Sequence, residues 1–156
     1  MQNKYSDYKT EIEKKGVIAF VPGGNSMWPI LKNRKQSVVV KKKEERLKRF
    51  DVALYQRPCG SFVLHRVMNA IDGGYVMCGD SQFTLENVKE EDVFGVLVGF
   101  YRGKTYVEVT DEKYIKQVER FYGRKIRRKI RLKFFHLGQK IKNGLKLIFK
   151  KGNIDG

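Results

Sequence analysis

Short runs of apolar, β-branched residues, each closed by a turn signal, dominate the first 110 positions of this chain. Seven of them read as strands: Val17 to Val21, Ser37 to Lys42, Asp51 to Gln56, Ser61 to Ala70, Tyr75 to Cys78, Val93 to Arg102 and Thr105 to Val109. Asp72-Gly73-Gly74 and Gly103-Lys104 mark tight turns between neighbours, so the fourth and fifth runs read as a hairpin. Strands this short and this regularly spaced predict a mainly β, antiparallel domain, a β-barrel-like or folded sheet that protects its own edges. Ahead of it, Tyr5, Tyr8 and Ile12 recur at spacings of three and four within residues 4–15, which predicts a short amphipathic helix stopped by Gly16. Beyond Glu112 the turn signals fade. Tyr114, Ile115, Val118, Phe121 and Tyr122, and then Ile126, Ile130, Phe134, Leu137 and Ile141, keep helical spacing among basic residues. The pattern therefore divides the chain into an N-terminal helix (1–16), a β domain (17–110) and a basic amphipathic helical tail (111–156).

Composition agrees with one packed domain and an appendage. Apolar residues make up 41% of 156, well above what a disordered chain carries. Charge changes the picture more. The formal net charge is +16, and residues 111–156 hold fifteen Lys or Arg against four carboxylates, so most of the excess belongs to the tail. An anionic membrane surface met through residues 111–151 is the partner its apolar stripe favours, with nucleic acid as the second reading. A tail helix packed on its own domain with a solvated basic face fits the same pattern. The longest early apolar stretch, Val17 to Val21, is far below the ~18 to 20 residues of a bilayer span, which predicts a cytoplasmic protein, peripheral at the inner face of the membrane where the tail binds. Cys59 and Cys78 lack zinc-ligand spacing and read as two reduced thiols; no metal or organic cofactor is expected.

Candidate chemistry gathers in three places. Ser26 follows Gly23-Gly24-Asn25 on the loop after the first strand, where a hydroxyl is exposed and backbone N–H groups can point at a developing oxyanion. Pro29 stiffens the loop's exit, and Met27 and Trp28 can anchor it. A glycine-rich turn with a serine also serves as a plain connection, so a base is needed to give the serine meaning. Of the two histidines, His136 lies in the tail, whereas His65 sits in the alternating strand Phe62 to Val67 on the face of Val63 and Val67. A core histidine with satisfied hydrogen bonds would look the same. Asp80, just past the hairpin partner of that strand, is a candidate to orient the imidazole; Asp51 and Glu86 compete for that role, and Asp80 equally suits a turn or helix cap.

Taken in order, GNSMWPIL (24–31), FDVALY (50–55), FVLHRV (62–67) and CGDSQ (78–82) resemble the boxes of the superfamily of signal peptidases and LexA-type self-cleaving repressors, over about Phe20 to Tyr106. Histidine in the base box is similar to the endoplasmic-reticulum, archaeal and spore-former type of signal peptidase rather than the lysine type. The resemblance implies a serine peptidase fold with Ser26 as nucleophile, His65 as general base, Asp80 as the acid, and Gly24 or Asn25 sharing the oxyanion hole with Ser26. Two departures are visible: no membrane anchor, and a short spacing from His65 to Asp80. Nor is there the DNA-binding module or the Ala-Gly self-cleavage site of LexA-type repressors. Short, unanchored bacterial relatives near peptide-maturation systems are the nearest in kind. The expectation is a serine endopeptidase acting on a signal- or leader-like peptide. The alternative is a non-catalytic protein that binds a membrane surface or nucleic acid through its tail.

Overall fold

A computed structural model describes residues 8–32 and 35–123 of the chain. Helix α1 runs from Tyr8 to Lys15 and buries Ile12 completely, a side chain whose removal from water is worth about 2 kcal/mol. It ends as its pattern predicts, because Gly16 takes the left-handed φ of 73° that glycine adopts freely, and donates its N–H to the Ile12 carbonyl at 2.8 Å.

Eight strands follow: β1 (Val17–Phe20), β2 (Val38–Lys42), β3 (Val52–Gln56), β4 (Phe62–Ile71), β5 (Gly74–Cys78), β6 (Glu86–Lys89), β7 (Val93–Arg102) and β8 (Thr105–Glu108). All seven expected strands are present to within a residue or so at each end. The additional one is β6, followed by a 3₁₀ turn at Glu90–Asp92. The strands form one open antiparallel sheet with the order β1-β2-β7-β3-β4-β5-β6, and β8 pairs with the far half of β7. Mainly β and antiparallel is thus the fold class, with β1 and β6 as the ends of the sheet path.

Register decides what meets what. β3 and β4 pair Ala53 with His65 and Tyr55 with Val63, while β4 and β5 pair Arg66 with Cys78 and Val67 with Met77. β5 in turn sets Met77 opposite Glu86 and Tyr75 opposite Val88. Because facing residues share a side of the sheet, Ala53, Tyr55, His65, Val67, Met77 and Glu86 fall on one face. Leu47, Ala53, Tyr55, Val67, Tyr75, Met77, Val88 and Val93 make a buried cluster there. Arg66 and Cys78 lie on the other face.

Helix α2 (Glu112–Gly123) confirms helical spacing at the start of the tail, with Tyr114 and Val118 buried. The chain divides into two compact units at 118/119, within α2. Of the second unit only residues 119–123 are described. The expected basic helix from 124 onward, with His136, lies outside the described residues. No helix among the described residues is long and apolar enough to cross a membrane.

Candidate active site

Ser26 is half-buried on the loop that leaves β1. The loop is held from inside by Met27, Ile30 and Leu31, all nearly inaccessible to solvent, and by two turn hydrogen bonds, Trp28 N–H to the Asn25 carbonyl at 3.1 Å and Leu31 N–H to the Met27 carbonyl at 2.9 Å. Met27 is an anchor as expected. Trp28 stays half-buried, and Ile30 and Leu31 do the work assigned to it.

A second clamp comes from residues 79–82. Ser81 N–H donates to the Ser26 carbonyl at 2.8 Å and Ser81 Oγ to the Asn25 carbonyl at 3.0 Å. The approach is close enough that a Cβ at Gly79 would sit 2.8 Å from the Ser26 oxygen, so only glycine fits there without movement. Asp80 stabilises the clamp. Its carboxylate takes both arms of the Arg66 guanidinium, Nε to Oδ1 and Nη2 to Oδ2, each at 2.7 Å, and neither residue is exposed to solvent. Arg66 Nη1 also reaches the Phe50 carbonyl at 2.8 Å and the Tyr114 hydroxyl at 3.3 Å. The two-pronged, fully buried fork is the geometry in which a guanidinium and a carboxylate satisfy each other best.

His65 points the other way, as strand alternation requires. Its Nδ1 lies 2.7 Å from Glu86 Oε1 and 3.2 Å from the Tyr55 hydroxyl. Tyr55 also donates to Glu86 Oε1, and Arg57 grips the same carboxylate with Nε at 3.0 Å and Nη2 at 2.9 Å. Burial pushes the Glu86 carboxyl up, but the hydrogen bonds from Arg57, Tyr55 and His65 outweigh it and hold its pKa at about 2. Glu86 is therefore an anion at any working pH. Burial lowers the His65 pKa below its usual value, against the opposing pull of the hydrogen bond and charge of Glu86, so the imidazole is neutral near pH 7. A neutral imidazole beside an anion carries its proton on Nδ1, which leaves the lone pair on Nε2.

Asp80 was the expected orienting acid, and the structure places Glu86 on Nδ1 instead. The reason lies in the register: Asp80 is two residues beyond Cys78, the partner of Arg66, and so belongs to the Arg66 side of β4. Glu86 is opposite Met77, on the side of His65. Glu86 was one of the competing carboxylates in the sequence. Asp51, the other, accepts from the Lys48 N–H at 2.7 Å and serves a turn.

Ser26 and His65 line one cavity of about 240 Å³, together with Gly23, Gly24, Arg57, Gln82 and an apolar wall that includes Phe20, Leu54 and Phe62. Tyr8 of α1 completes that wall, stacked on Phe20 at 4.6 Å and edge-on to Phe62 at 5.5 Å. No hydrogen bond joins Ser26 Oγ to His65. Of the two residues expected to help with the oxyanion, Gly24 lines the cavity, whereas Asn25 is outside its lining and commits its carbonyl to Ser81 and Trp28. Cys59 is exposed and Cys78 buried, and no disulfide joins them. Among the described residues no group of His, Cys, Asp or Glu is arranged to hold a metal ion. Comparison with protein-family models and with curated proteins finds no match.

Proposed function

We propose that the protein is a serine endopeptidase of the signal-peptidase and LexA type, in which Ser26 attacks a peptide carbonyl and His65 is its general base. The observation that carries this reading is a single cavity lined by both Ser26 and His65, with the imidazole kept neutral by burial and its Nδ1 turned to Glu86. Nε2 is then the nitrogen free to take the Ser26 proton and return it to the leaving amine. The developing imidazolium is stabilised by the Glu86 anion, which keeps Arg57 and Tyr55 as further partners. The N–H of Ser26, with that of Gly24, is suited to receive the oxyanion of the tetrahedral intermediate. Asp80 acts at one remove, holding Arg66 beneath the turn that clamps the serine loop. Hydrogen bonds between nucleophile and base are commonly long before substrate binds and tighten in the Michaelis complex, which accounts for the absence of a Ser26–His65 bond here.

The substrate is an extended peptide or protein segment, signal- or leader-like in kind, laid along the sheet by strand addition. Intact-mass measurement after treatment with a panel of serine acylators, peptide aldehydes and β-lactam-like probes tests the reading. A single adduct on the wild type that disappears in both Ser26→Ala and His65→Ala is expected. Labelling that persists in Ser26→Ala would overturn it.

A further inference from the structure

We infer that the cleft selects a peptide carrying a carboxylate. The inference builds on the peptidase reading for the nature of the occupant, and on the charges of the wall for its selectivity. Two permanently charged side chains line the cavity, Lys32 and Arg57, and no carboxylate is among the described residues of the lining. Glu86 holds two of the guanidinium nitrogens of Arg57 from behind, through Nε and Nη2. Arg57 Nη1 is not one of the two nitrogens that bond Glu86, and the side chain, which also meets the Tyr55 hydroxyl, is 40% exposed. That arrangement fixes the guanidinium and leaves one N–H edge for a ligand. Lys32 is exposed and forms no ion pair among the described residues, while its backbone N–H is pinned by Gln36 Oε1 at 2.6 Å. The rest of the wall is largely apolar: Phe20, Leu54, Phe62, Val63 and Leu64. Charge–charge attraction is strengthened where apolar walls exclude water. With Glu86 balancing Arg57 and His65 neutral, Lys32 leaves the cleft with a positive excess that a carboxylate on the substrate offsets.

Paired peptides in which Glu is exchanged for Gln at each position along a fixed sequence, each made with a free and with an amidated C-terminus, separate a side-chain carboxylate from a terminal one. Binding is measured on the Ser26→Ala protein and cleavage on the wild type. At one or two positions, or at the free C-terminus, the acid is expected to bind roughly tenfold tighter than its amide, the size of one charge-assisted hydrogen bond. The ratio falls toward one in Lys32→Gln or in Arg57→Gln, and shrinks in high salt. Lys32→Gln is the cleaner variant, since Arg57 also supports Glu86. Equal binding of acid and amide at every position overturns the inference, as does a preference that neither variant moves. The two readings fail separately: a carboxylate preference in binding without Ser26-dependent cleavage of any peptide sinks the peptidase, and cleavage indifferent to the carboxylate sinks only the selectivity.

Discussion

His65 and Arg66 are neighbours on one strand, and each meets a carboxylate, yet the two pairs differ in almost everything else. Arg66 and Asp80 are both fully buried, fork to fork, with the remaining guanidinium nitrogen spent on Phe50 and Tyr114. His65 meets Glu86 at the edge of a cleft, through one nitrogen, and the carboxylate is 27% exposed and shared with Tyr55 and Arg57. A pair with every valence satisfied and no route to solvent holds structure. A pair that leaves one ring nitrogen uncommitted beside a cavity is equipped to move a proton. The difference follows from strand alternation alone, which sends consecutive side chains to opposite faces.

Breaking the structural pair has the largest expected effect. Asp80→Ala strands a buried guanidinium, and the loss expected is about 3–5 kcal/mol, with activity falling as the fold falls. Urea denaturation measures it; a loss within 1 kcal/mol would mean that water reaches Arg66. Glu86→Gln attacks the other pair and separates fold from function. Activity should drop about 10³-fold, somewhat less than the ~10⁴ typical of a misoriented serine triad because Tyr55 remains on Nδ1, while stability falls by only about 1–2 kcal/mol. Because the hydrogen bond and charge of Glu86 raise the His65 pKa, removing them also moves the acid limb of the kcat/KM profile to lower pH.

Gly79→Ala sharpens the comparison from the structural side. The added Cβ meets the Ser26 carbonyl, and displacing the proposed nucleophile by a fraction of an ångström is expected to cost up to about 10²-fold in kcat, with KM less affected. Stopped or steady-state kinetics on one peptide check the split; an equal rise in KM would point to a wider rearrangement of the cleft. The smallest effect belongs to Tyr55→Phe, which removes one of several bonds to Glu86. It should cost about 1 kcal/mol in stability and a few-fold in rate.

The strands, the N-terminal helix and the stop at Gly16 were legible because period, turn residues and caps all agreed there. β6 was not. Its sequence, ENVK, is polar at three of four positions and buries only Val88, as suits a short strand at the end of a sheet, so it carries no alternation signal. That strand brings Glu86, so local sequence alone points to Asp80, the carboxylate next to a recognisable box. The missing information was pairing: once Arg66 is set opposite Cys78 and Met77 opposite Glu86, the side of each acid is fixed. Ser26 and His65 could be named from local sequence, but their common cavity depends on β1 and β4 being brought together by strands far apart in the chain.

The central claim is that burial keeps the His65 imidazole neutral while Glu86 orients it through Nδ1, leaving Nε2 uncommitted. Nitrogen NMR of the two histidines, with His136→Gln to assign His65, reads tautomer and pKa together. The account predicts an Nδ1–H tautomer at neutral pH and a midpoint below 6.5, shifted lower still in Glu86→Gln. An Nε2–H tautomer in the wild type, or a His65 midpoint that Glu86→Gln leaves in place, would contradict it.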